Sequence, residues 1–138
     1  MQFYTIGYRG RKPQEFVSLL TERGIKAVVD ARLRPDRSSM GCYSKAKDPA
    51  KGIQGLLATA AIRYHSLIEL GNLFVDLDDW AERYRQLIEK AGDLLTERLW
   101  HVPAPFCLMC AENRSEKCHR QIIAEHLVSR GHGVEHIE

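Results

Sequence analysis

A chain of 138 residues supports one hydrophobic core and is too short for two; a domain of that size buries roughly two-thirds of the surface its unfolded chain exposes. Its 44% hydrophobic and 28% charged residues are ordinary for a globular protein, and no window holds the 18 or so consecutive apolar residues that a membrane helix needs. A net charge of +2 does not by itself argue for nucleic acid.

Residues 3–7, Phe-Tyr-Thr-Ile-Gly, read as a first strand broken by the glycines of Gly7-Tyr8-Arg9-Gly10. No signal-type segment precedes it, so a cytoplasmic location and reduced thiols for the four cysteines are expected. A helix follows from near Pro13, with Phe16, Leu19 and Leu20 at helical spacing and Gly24 as its stop. Residues 25–30 form a β-branched second strand ending in Asp30. From Ala31 to about Ile53 the pattern dissolves into a connection far longer than usual, and long ordered loops often carry function.

A short helix over residues 51–61 and a third strand over 62–66 come next, closed by the turn Leu70-Gly71-Asn72. Trp80, Tyr84, Leu87 and Ile88, continued by Leu94 and Leu95, predict a long amphipathic helix from about Leu77 to Glu97. Residues 105–109 are continuously apolar, as expected of a strand covered on both faces. A helix over 121–130 packs through Ile122, Ile123, Leu127 and Val128, and residues 134–137 add a short edge strand. Strictly alternating strands and helices specify one α/β domain over residues 1–138: a three-layer sandwich with a mostly parallel sheet of about five strands and helices on both faces.

In a parallel sheet the strand ends share one side, so residues far apart in sequence become neighbours there. Those ends are polar here: Tyr8 and Arg9 after the first strand, Asp30 and Arg32 after the second, His65 and Ser66 at the third, Cys110 and Glu112 after the fourth, then Cys118, His119 and Arg120 opening the next helix. Arg32 and Arg120 can clamp a carboxylate or phosphate through bidentate guanidinium geometry, or can pair with Asp30 and Glu112. Tyr8, Arg9 and Asp30 complete the candidate ligand contacts, Asp30 also being able to cap its own turn. A local anion-binding surface is consistent with Arg9, Arg11, Lys12, Arg32, Arg34 and Arg37 falling within the first 37 residues.

Cys107 and Cys110 are three apart on a strand and should face opposite sides, which assigns Cys107 to the core and argues against a CxxC metal or redox motif. Cys118, beside Lys117, His119 and Arg120 near a helix start, is placed to favour thiolate and is the candidate nucleophile, with Cys110 as its rival. Glu112 is the candidate acid/base, and His119 can orient a thiol, bind a ligand or face water. Six residues after Cys107, Cys110 and Cys118 stand Asn113, Glu116 and Ala124, so the Cys-x5-Arg loop of thiol phosphatases is missing. Neither GxGxxG nor a P-loop occurs, and the histidines show no HExxH spacing.

Several of these segments together resemble a known family: Thr5-Ile6-Gly7, Val29-Asp30-Ala31-Arg32 with Pro35, Ile62-x-Tyr64 followed by Leu70-Gly71, and Cys110-x-Glu112-x5-Cys118-His119-Arg120 with Ile123-Ala124. With the closing Gly133-Val134-x-His136-Ile137, they resemble the family called domain of unknown function 488 over essentially the whole chain. The resemblance implies a compact α/β domain with a site built from these motifs, and it carries no established reaction. Where that family commonly has a Gly-His-Ser type turn this chain has Gly7-Tyr8-Arg9, leaving Tyr8 as the polar substitute.

Three functions fit these residues. One is an enzyme acting on a small anionic or nucleotide-like ligand at the strand ends, using Glu112 and the thiols. Another is a non-catalytic module that binds nucleic acid or a phosphorylated ligand through Arg9, Arg32, Arg34 and Arg37, recognisable by steep salt dependence. The last is a structural metal domain built on Cys107, Cys110, Cys118 and His119, recognisable by stoichiometric metal in elemental analysis. The convergence of polar residues favours the first; no cofactor, membrane partner or oligomeric state is specified.

Overall fold

A computed structural model describes residues 1–138. Five strands, β1 (Gln2–Gly7), β2 (Ala27–Asp30), β3 (Arg63–Ser66), β4 (Phe106–Cys110) and β5 (Gly133–Ile137), form one sheet in the order β3-β2-β4-β1-β5, with every pairing parallel. The four main helices are α1 (Pro13–Thr21), α2 (Gly52–Ala58), α3 (Trp80–Leu95) and α4 (Arg120–Ser129). The expected α/β sandwich is therefore the observed fold, with β5 at an edge as its short, half-exposed pattern predicts.

The sheet is covered on both faces: β2 and β4 are buried at every position, and all but the terminal Asp30 are apolar. On one face Phe16 and Leu20 of α1 and Ile53 and Leu57 of α2 pack on Ile6, Val28, Cys107 and Met109. On the other, Tyr84 and Ile88 of α3 and Ile123 and Leu127 of α4 pack on Phe3, Val29, Phe106 and Leu108. Cys107 is thus core on the α1/α2 side, as the strand period requires.

Some boundaries differ from the sequence pattern. The amphipathic helix starts at Trp80, because Asn72 Oδ1 accepts a 3.0 Å bond from the Phe74 N–H and residues 72–79 turn irregularly. It ends at Leu95 and passes into a 3₁₀ segment, Glu97–His101, so Leu94 points to solvent instead of continuing the stripe. Val128 is likewise half exposed, since α4 turns Ile123 and Leu127 inward. The long connection after β2 is held down by Tyr43, whose fully buried ring stacks on Tyr8 at 4.6 Å and whose hydroxyl donates to the Arg11 carbonyl at 2.7 Å.

Strand order positions the site. β4 lies between β1 and β2, whose connections leave toward the α1/α2 face, whereas β4 leads to α4 on the opposite face. Neighbouring loops that part in this way open a crevice at the carboxyl ends of the strands. The register sets Gly7 opposite Cys110 and Asp30 opposite Met109.

Candidate functional site: a cationic cleft over two sulfurs

The crevice is a cleft of about 490 Å³. Of the residues expected at the site, Arg9, Arg32, Cys110, Glu112, Cys118 and His119 line it. Arg34 and Lys117 add positive charge, and Leu33, Asn72, Val75 and Trp80 supply further walls. His65 and Ser66 do not join them. β3 is the outer strand, so both line a separate depression of about 520 Å³ with Tyr64, Arg98 and His101.

Asp30, Tyr8 and Arg120 stand behind the lining. Asp30 is fully buried and accepts hydrogen bonds from Arg32 Nε (2.9 Å), Arg32 Nη2 (2.8 Å), the Arg32 backbone N–H (3.0 Å) and the Tyr64 hydroxyl (2.5 Å). Burial alone would lower the Arg32 pKa, but the hydrogen bond and charge of Asp30 outweigh it and raise it further. Burial, reinforced by Asp30, also pushes the Tyr64 phenol up. Arg32 Nη1 donates to the Tyr8 hydroxyl at 3.3 Å, with the guanidinium 5.1 Å from the Tyr8 ring centre. The alternative reading of Arg32, as the partner of Asp30, is therefore realised: it is a fixed cation in the cleft wall rather than a mobile clamp.

Arg120 departs most from expectation. It is entirely buried and does not reach the cleft. Its Nε donates to Thr5 Oγ1 (3.2 Å), Nη2 to the Asn113 carbonyl (3.0 Å), and Nη1 to both the Glu112 carbonyl and Cys110 Sγ (3.1 Å). Thr5 Oγ1 in turn shares a hydrogen bond with His136 Nδ1 at 2.6 Å. Desolvation lowers the Arg120 pKa to about 10, which leaves it cationic at neutral pH. The guanidinium holds residues 112 and 113 over the end of β1, where Gly7 makes room; a Cβ on Gly7 would run into the Glu112 carbonyl. Gly71 does the same for the opposite rim, since its Cβ would meet the backbone of Leu33 at 2.6 Å.

His119 is buried, with Nε2 2.8 Å from the Ala31 carbonyl. A carbonyl only accepts, so Nε2 carries the proton and Nδ1 presents its lone pair to Cys118 Sγ, 3.6 Å away. Burial lowers the His119 pKa and keeps the ring neutral. His119 therefore lies between Cys118 and the Ala31 carbonyl and does not face bulk water.

The Sγ atoms of Cys110 and Cys118 meet at the base of the cleft, while Cys42 and Cys107 have no other thiol beside them. A four-ligand metal set does not assemble, because Cys107 lies on the other face of the sheet and no group of three His, Cys, Asp or Glu side chains is arranged to hold an ion. Glu112, the expected acid/base, is a third exposed and ion-paired with Arg9 at 2.5 Å.

The family model described as "Domain of unknown function DUF488" matches residues 12–127, and the chain belongs to that family. The matched stretch includes Asp30, Arg32, Cys110, Glu112 and residues 118–120, and leaves out β1 with Tyr8 and Arg9. No curated protein and no solved structure matches the chain. No helix is long and apolar enough to cross a membrane.

Proposed function

We propose that the protein is an enzyme acting on a small anionic or nucleotide-like ligand bound in the cleft at the carboxyl ends of β1, β2 and β4. The observation carrying this reading is the charge of the lining: Arg9, Arg32, Arg34 and Lys117 face one carboxylate, Glu112, above two sulfurs. Arg32 supplies a fixed positive wall. Arg34 and Lys117 have no carboxylate partner in the chain and are free to meet an incoming anion. An anion that draws Arg9 away from Glu112 frees that carboxylate for acid/base work beside the ligand.

Calorimetric titration with inorganic phosphate and with adenosine 5′-monophosphate tests the reading. Binding should appear at low salt, weaken several-fold at high salt, and weaken again in an Arg34→Ala, Lys117→Ala double variant. Equal binding of uncharged adenosine, or no binding of either anion, would overturn it. A nucleic-acid module resting on Arg9, Arg32, Arg34 and Arg37 is the weaker reading, because Arg32 is committed to Asp30 and Arg9 to Glu112.

A further inference from the structure

We propose that Cys110 and Cys118 form a dithiol–disulfide couple that reduces a small disulfide bearing carboxylate groups, seated in the cationic cleft. The inference deepens the anion-site reading and rests on it for substrate choice.

The two sulfurs are equipped differently. Cys110 Sγ accepts a 3.1 Å hydrogen bond from the guanidinium of Arg120. Cys118 Sγ accepts the Arg120 backbone N–H at 3.5 Å and faces the His119 Nδ1 lone pair at 3.6 Å. Arg120 is fully buried, and its other contacts, Thr5 Oγ1 and the carbonyls of residues 112 and 113, are all neutral. A buried cation surrounded by neutral acceptors lacks a counter-charge. Cys110 is the group at hydrogen-bond distance that becomes an anion when the sulfur–sulfur bond opens, so the fold is built to hold its thiolate. Cys107 has no such equipment: it sits in the opposite core layer, where burial drives its thiol pKa up.

That asymmetry orders the chemistry. In the reduced protein the Cys118 thiol passes its proton to His119 Nδ1 as its sulfur attacks one sulfur of the substrate disulfide. The substrate bond breaks, its first thiolate leaves with the proton held by His119, and a mixed disulfide remains on Cys118. The Cys110 thiolate then attacks Cys118 Sγ, forming the protein disulfide and displacing the second substrate thiolate, which is protonated by water. One substrate disulfide becomes two thiols while the two cysteines are oxidised by two electrons. Two small thiols running the same steps backward restore the dithiol.

Substrate size follows from access. Cys110 and Cys118 are 2% and 5% exposed, and both line the cleft. A small molecule reaches them there; a folded protein surface does not. Four cationic side chains around the opening select a substrate with carboxylates.

The experiment reduces the protein and follows its oxidation by dianionic 3,3′-dithiodipropionate and by neutral 2-hydroxyethyl disulfide, reading the state of each cysteine by alkylation and mass spectrometry. The charged reagent should oxidise Cys110 and Cys118 about tenfold faster at low salt, with the advantage lost at high salt and in the Arg34→Ala, Lys117→Ala variant. Cys110→Ser should trap a 3-mercaptopropionate adduct on Cys118, whereas Cys118→Ser should leave Cys110 unmodified. Equal rates for the two reagents, or an adduct that forms on Cys110 alone, would overturn the proposal. If phosphate and the nucleotide fail to bind while the charged disulfide keeps its advantage, the broader anion-ligand reading falls and the redox couple stands.

Discussion

Asp30 and Arg32, two residues apart at the end of β2, form a bidentate ion pair inside the protein, with Nε–Oδ1 and Nη2–Oδ2 distances of 2.9 and 2.8 Å. Neither group has appreciable contact with water, so removing one charge leaves the other buried without its partner. Asp30→Asn should lower stability by about 3 kcal/mol in urea unfolding, within the range measured for broken buried pairs. Tyr64→Phe, which deletes one donor to the carboxylate, should cost about 1.5 kcal/mol. A loss below half a kcal/mol for Asp30→Asn would mean the pair is not structural and would return Arg32 to the role of a mobile clamp.

Gly7 offers a second test because its need for space is separable from conformational strain. A methyl group at Gly7 collides with the backbone carbonyl of Glu112, while Gly10 has open space around its Cβ position but a φ of +76°. Gly10→Ala should therefore cost about 1 kcal/mol of backbone strain and leave anion binding alone. Gly7→Ala should both destabilise and displace residues 111–113, so that phosphate affinity falls as well. Equal behaviour of the two variants in a phosphate titration would remove the link between Gly7 and the cleft.

Much of this was legible in the sequence, for physical reasons that also set the limit. The apolar runs of β2 and β4 and the amphipathic period of α3 are local signals of burial, and they carried the parallel sandwich and the assignment of Cys107 to the core. The gathering of Arg9, Arg32, Cys110, Glu112, Cys118 and His119 followed from strand ends sharing one side. Strand order is not a local property, and so His65 was wrongly grouped with the cleft. Arg120 was misread for a related reason: its acceptors lie on Thr5 and on the backbone of residues 112 and 113, which no residue pattern advertises. The glycines at 7 and 71 were the available clue, since both permit backbone to approach where a side chain would not fit.

Folding lowers the pKa values of His65, His119 and His136, in each case chiefly through burial. The unfolded chain thus takes up protons at these sites before the folded protein does, and stability is complete above about pH 6.5 and lost as the pH falls below it. Urea midpoints should drop steadily from pH 7.5 toward pH 5 by this linkage. His119→Gln preserves a nitrogen donor toward the Ala31 carbonyl but cannot titrate, so it should flatten that slope relative to the parent protein. A midpoint that is constant or rises on acidification would contradict the neutral, buried assignment of His119.

Arg120 makes the sharpest case for geometry over charge. Its planar guanidinium serves four acceptors: Thr5 Oγ1, Cys110 Sγ and the carbonyls of residues 112 and 113. Arg120→Lys keeps the cation but offers three donors on one nitrogen, at the end of a stem that cannot span both carbonyls and Thr5 together. At least one buried acceptor then loses its partner, and stability should fall by about 2–3 kcal/mol. Thr5→Val removes a single acceptor and should cost nearer 1 kcal/mol, while also breaking the link from Arg120 to His136. The loop bearing Glu112 should exchange its amide hydrogens faster in Arg120→Lys than in Thr5→Val, because only the former loosens the carbonyls that tie it down. Equal exchange in the two variants would show that the loop is held by the end of β1 and not by the guanidinium.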